Sequence, residues 1–158
     1  AKAGYRTALW HDSDKELDAD ELQALEDAGV SRFFWDAPFT TEMQIFASVP
    51  EDALTLLVER AQEWHGDDSV TDQIRARLPD LDSATVSLLG FDEKDRTALG
   101  IAAGKGKWYK NVSYGEIIGH EVIGPYLDQS EGRLPEVVNA LKAWIRNDHA
   151  SATGHATE

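Results

Sequence analysis

The apolar positions of this chain change spacing along its length, and the spacing predicts the elements. Ala8, Leu9 and Trp10, with Tyr5 and Thr7 before them, run with scarcely a polar interruption. That is the pattern of a short strand buried on both faces. Asp18 and Glu21 form a D-x-x-E capping box, Leu22, Leu25 and Ala28 make an inner stripe, and Gly29 ends the helix so defined. Residues 30–35 are a second apolar strand, so residues 4–35 have the length of a strand-helix-strand parallel crossover. After the loop Asp36-Ala37-Pro38-Phe39, Thr40-Thr41-Glu42 can cap a short helix through Phe46.

A longer helix is predicted over residues 49–64, where Leu54, Leu57, Val58, Ala61 and Trp64 recur at three- and four-residue spacing and Ser48 and Glu51 fit a capping box. Residues 67–78 form a further helix with Val70 and Ile74 inward, stopped by Pro79. Residues 84–91 suit a strand or a helix, and the helical composition of residues 96–103 favours helix. Two helices close the fold, over residues 113–127 and 134–146, the second with Leu134, Val137, Val138, Leu141, Trp144 and Ile145 on one stripe. The small polar tail over residues 150–158 is expected to be disordered. The prediction is one α/β domain over residues 1–149, a small parallel sheet covered by helices with a largely helical C-terminal part.

Composition narrows this picture. A chain of 158 residues, 42% of them apolar, can bury a proper core as one domain. Without cysteine it has no disulfide or thiolate metal site, and a cytoplasmic setting is the default expectation. No apolar run approaches the roughly 18 residues of a membrane span, and no signal peptide is visible. The first strand follows Ala1 almost at once, which suggests a piece of something longer. Net charge is -14, from 29 acidic against 15 basic residues, so DNA binding would need a local basic patch, a bound metal or a second domain.

Candidate chemistry begins where the first strand ends. Asp12 and Asp14 lie two residues apart at its carboxyl end, the end at which ligands bind in parallel α/β sheets. Two carboxylates this close repel, and Mg²⁺ or Mn²⁺ relieves the repulsion; the plainer alternative is a solvated acidic turn. A calcium loop from Asp12 is excluded by Leu17 at its sixth position and Gln23 at its twelfth. Glu42, after the second strand, is either a third metal ligand or a helix-capping carboxylate. Lys105, Lys107 and Lys110, interleaved with Gly104, Gly106, Trp108 and Tyr109, form the one basic island. It can set an ammonium against a phosphate while an aromatic packs on a sugar or base, or it is a solvated connector. It has no P-loop frame. The five histidines form no nucleophile constellation, and His11 is expected to pack at the strand end.

In order and approximate spacing over residues 4–147, four stretches resemble the Toprim catalytic domain of the overcoming-lysogenisation-defect (OLD) family of ATP-dependent nucleases, which includes the Gabija defence nuclease. They are residues 8–14 with the D-x-D pair, residues 21–30, residues 41–46 and Trp108-Tyr109-Lys110-Asn111. The resemblance implies metal-dependent DNA phosphodiester cleavage, with Asp12, Asp14 and Glu42 binding Mg²⁺ or Mn²⁺ and Lys110, or second Lys105, as the transition-state lysine. It implies DNA, the upstream ATPase domain of a parent chain and a possible homo-oligomer as partners. A Toprim domain of this family opens with a strand and a glutamate ahead of the D-x-D strand, and that segment is missing here. The chain is therefore expected to be the C-terminal portion of such a nuclease, weak or inactive alone. The competing expectation is an acidic binding protein, an immunity protein or nucleic-acid mimic, using its charge to attract a basic partner. A third is an interaction domain that keeps the fold without the site.

Overall fold

A computed structural model of the protein describes residues 6–13, 16–79 and 90–146. Tyr5, Asp14, most of the ambiguous segment, residues 84–89, and the tail lie outside them. Strands β1 (Thr7–His11) and β2 (Val30–Phe34) pair in parallel, with Thr7 opposite Val30 and His11 opposite Phe34. Helix α1 (Ala19–Asp27) is the crossover that joins them. Its capping box forms as the sequence predicts, the Asp18 carboxylate accepting from the Glu21 amide at 2.8 Å and the Glu21 carboxylate from the Asp18 amide at 3.0 Å. One expectation fails: β1 is not buried on both faces. Thr7 and Trp10 are exposed, Trp10 by 39%. Among the described residues the sheet has only these two strands, so β1 has one neighbour, and α1 buries none of its own residues against it.

The core lies among the helices. These are α2 (Thr41–Ser48), α3 (Glu51–His65), α4 (Asp67–Arg75) and α5 (Glu93–Gly106). Phe46, Leu54, Leu57, Val70, Ile74, Leu99 and Trp108 are fully enclosed between them, each large side chain contributing about 1.5–3 kcal/mol of transfer free energy. The predicted capping box of α3 does not form. Pro50 precedes the helix, Ser48 ends α2 and accepts from the Gln44 amide group at 2.8 Å, and the Glu51 carboxylate accepts from the Gly90 amide at 2.7 Å. Nor does the helix of residues 96–103 extend back through residue 91, because Asp92 caps α5 through a box with Asp95.

Helix α5 crosses α2 closely. A Cβ on Gly100 would stand 2.5 Å from the Met43 Cα and 3.2 Å from the Glu42 carbonyl oxygen. The Arg96 guanidinium fastens the same pair of helices by donating to the Val49 carbonyl at 2.6 Å, at the end of α2. The C-terminal part is helical: α6 (Val112–Ile118), a π-helical turn (Gly119–Ile123), α7 (Gly124–Tyr126), a 3₁₀ turn (Leu127–Gln129) and α8 (Arg133–Ile145). Pro125 has no amide to donate and its ring crowds the carbonyl four residues back, and the widened turn, with the Gly124 amide on the Gly119 carbonyl, relieves that crowding. On α8 the stripe packs through Leu134 and Val137, while Ile145, expected on it, is exposed. The protein is thus mixed α/β, mostly helical, with a small two-stranded parallel sheet at its flank.

Candidate functional site

Asp12 stands just past β1, on the shared carboxyl edge of the two strands. Its Oδ1 accepts from the Thr41 amide at 2.7 Å and from the Thr41 hydroxyl at 2.6 Å. Thr41 opens α2, so the carboxylate rests against a helix N-terminus, where unpaired amides and the helix dipole favour negative charge. The Thr41 hydroxyl is held in turn by the Trp35 indole N–H at 2.9 Å. Beside it, the Ser13 hydroxyl donates to the Trp35 carbonyl and the Ser13 amide to the Phe39 carbonyl at 3.1 Å. The turn after β1 is in this way pinned to the turn after β2. Among the described residues both bonds to Asp12 use Oδ1, and Oδ2 takes none.

Glu42 follows Thr41 in the first turn of α2, but its side chain runs inward and is 7% exposed. It lies against α5, where a Cβ on Gly104 would meet its Oε2 at 3.7 Å. Its Oε1 pairs with the Lys110 ammonium at 3.2 Å, and the lysine side chain is 55% exposed. Two of the residues singled out from the sequence, distant along the chain, therefore meet. Tyr109 adds a third group: its buried hydroxyl donates to the Leu57 carbonyl at 2.7 Å. Burial, and secondarily the Glu42 charge, hold its pKa well above the usual 10.0, so the phenol stays protonated.

The rest of the basic island is not the flexible connector its glycines suggest. Residues 104–106 are the last turn of α5, and Lys107 follows in the left-handed region at φ 56°. A Cβ on Gly106 would run into the Gln73 and Trp108 side chains. Trp108 is wholly buried, its indole N–H donating to the Gln73 Oε1 at 2.8 Å and its ring edge-on to Phe46 at 6.2 Å. Neither aromatic of the island is free to pack on a sugar or base. Lys105 is exposed in the last turn of α5, and Lys110 is the lysine brought to Glu42.

His11 packs at the strand end as expected, stacked on Phe34 with 5.6 Å between ring centres. Sequence reasoning missed the roles of Thr41 and Arg32, and gave Tyr109 a sugar- or base-packing role that its burial removes. The doubled threonine was the available signal for the first: Thr40 accepts from the Met43 amide at 3.3 Å as the cap, which frees Thr41 for Asp12.

Among the described residues, no group of three or more His, Cys, Asp or Glu side chains is placed to hold a metal ion. Asp14, the third of the expected ligands, lies outside those residues. What Asp12 and Glu42 offer is oxygen only, a donor set that suits hard cations such as Mg²⁺ and Mn²⁺ rather than softer metals. Among the described residues no helix is long and apolar enough to cross a membrane. Comparison with known proteins finds no matching family model, no matching curated protein and no matching solved structure. The class is therefore set by fold and site: a helical α/β protein with a helix-anchored aspartate at its strand edge and a buried glutamate paired with a half-exposed lysine.

Proposed function

We propose that this chain is the Toprim-like C-terminal portion of an OLD-family nuclease, which cleaves DNA phosphodiesters with a divalent cation and works with an upstream ATPase domain. The observation that carries the reading is the pairing of Glu42 with Lys110 beside the residue that anchors Asp12, because metal-binding carboxylates and a phosphate-facing cation are what such cleavage needs together. Asp12, Asp14 and Glu42 would hold Mg²⁺ or Mn²⁺, which when bound supplies an activated water and neutralises the leaving oxygen. Thr41 fixes one Asp12 oxygen and leaves the other for the ion. Lys110, held by Glu42 with its side chain half in solvent, stabilises the negative charge that builds on the phosphate. Tyr109 stays neutral and fixes the backbone from which Lys110 extends.

The -14 charge supports a second reading, an acidic protein that binds a basic partner and needs no metal. Titration with Mn²⁺, followed by paramagnetic broadening of amide signals, separates the two. Saturable broadening around Asp12 that Asp12→Ala removes supports the nuclease, and broadening that Asp12→Ala leaves unchanged supports the acidic binder. On supercoiled plasmid with Mn²⁺, Asp12→Ala should lower nicking by about 10² or more, the usual cost of losing a catalytic carboxylate. In a longer protein that joins this chain to an upstream ATPase domain, Asp12→Ala or Lys110→Ala should abolish cleavage. Full activity of the longer Asp12→Ala protein would remove the assignment.

A further inference from the structure

On the other side of Asp12 lies a cleft of about 370 Å³ that the cleavage chemistry does not use, within the roughly 300–1,000 Å³ of small-ligand sites. His11, Arg32 and Phe34 line it from the sheet, and Leu17 and Leu22 from the α1 side. Arg32 is its unusual member. The chain has 29 acidic residues for 15 basic ones, yet among the described residues no carboxylate lies within ion-pairing range of this guanidinium. It lies instead over the Phe34 ring at 4.8 Å, and its Nε is buried with no hydrogen-bond partner. The Arg133 Nε is in the same state, and a buried donor left unpaired is costly.

His11 sets the direction of that guanidinium. Its Nδ1 is 2.8 Å from the Asp12 carbonyl oxygen, which can only accept, so Nδ1 carries the proton. Its Nε2 lone pair then receives the Arg32 Nη2 at 3.4 Å. One Nη is thereby engaged, and the other has no hydrogen bond among the described residues. Among the described residues the acids at the cleft do not take it: Asp36 is 3.8 Å from the Arg133 Nε, and Glu16 is exposed.

We propose that this cleft binds a nucleoside phosphate, with the phosphate on Arg32 and the base against Leu17 and Leu22 on the α1 side. A planar guanidinium with no carboxylate partner among the described residues matches phosphate oxygens in pairs, and the leucine wall suits a flat base rather than a bare anion. Its use as the subsite for a nucleotide flanking the cleaved bond rests on the nuclease reading; the binding itself does not.

The test is a titration of the whole chain with thymidine 5′-monophosphate in EDTA, followed by NMR at the Arg32 Nε–H, the His11 ring and the Phe34 ring, with thymidine and inorganic phosphate as separate arms. The expected result is saturable shifts at all three residues, at least tenfold weaker binding of thymidine and of phosphate alone, and at least tenfold loss in Arg32→Gln. Arg32→Lys, which keeps charge without the fork, should fall between. Unchanged affinity in a folded Arg32→Gln would overturn the proposal. Should that variant not fold, wild-type shifts centred on residues 105–110 instead of the cleft would overturn it equally. Since no metal is present, nucleotide binding without cleavage activity would leave the cleft and remove the nuclease, and cleavage without nucleotide binding would do the reverse.

Discussion

Replacing Gly100 by alanine should destabilise the protein, whereas the same change one turn later at Gly104 should not. The added Cβ at Gly100 would stand 2.5 Å from the Met43 Cα, 3.0 Å from the Met43 nitrogen and 3.2 Å from the Glu42 carbonyl oxygen. Comfortable contacts between carbon atoms are about 3.5–4.0 Å, so α2 and α5 must part by about 1 Å. All three neighbours are backbone, and no side-chain rotation can relieve them. Overpacking of this kind costs about 1–3 kcal/mol, against about 1 kcal/mol at most regained from helix propensity. At Gly104 the nearest atoms are the Glu42 Oε2 at 3.7 Å and Cδ at 3.9 Å, ordinary contacts, so the propensity gain stands alone. Gly100→Ala should therefore lose about 1–2 kcal/mol, and Gly104→Ala should be unchanged or gain up to about 1 kcal/mol. Urea unfolding with a common m-value measures the difference, and a drop of about 2–8 °C in Tm should accompany Gly100→Ala. A midpoint for Gly100→Ala equal to or above that of Gly104→Ala would refute the tight α2–α5 crossing on which the placement of Glu42 depends.

Three further outcomes are expected. Because the folded state raises the Tyr109 pKa above its usual 10.0, it binds more protons than the unfolded chain above that pH; stability should be fully present below about pH 10 and fall as pH rises beyond it, and Tyr109→Phe should flatten this limb in pH-dependent urea unfolding. Thr41→Val removes the hydroxyl that serves both Asp12 and the Trp35 indole, and leaving that wholly buried donor unpaired should cost about 1–3 kcal/mol and weaken Mn²⁺ binding; unchanged stability and affinity would show that the Thr41 hydroxyl is dispensable. Lys110→Met leaves Glu42 buried without its cation, and Glu42→Gln should recover part of the loss in a double-mutant cycle, with a coupling of about 1 kcal/mol given the half-exposed lysine; additive effects would deny the pair any energetic role.

Local rules carried the sequence reading where they sufficed. Asp18 and Glu21 announce α1 because a capping box is made within one turn, and the stripes of α3 and α4 name their own buried residues because helical spacing decides which positions share a face. Asp12 is at a strand's carboxyl end for the same reason: the apolar run stops before it. Spacing does not say what a face will meet. The same rules make Ser48 a helix cap, allow residues 104–110 to be a solvated connector and leave Trp108 free to pack on a sugar or base. In the fold Ser48 bonds within α2, Gly104 packs on Glu42, Gly106 sits where Gln73 and Trp108 crowd α5, and Trp108 fills the core. The ion pair of Glu42 with Lys110, the anchoring of Asp12 by Thr41 and the contact of the Arg32 guanidinium with His11 arise only when α2 is laid across α5 and both strand ends are pinned together. They are contacts between segments far apart in the chain, selected by shape and by the need to partner buried polar groups, and no window of sequence contains both sides of them.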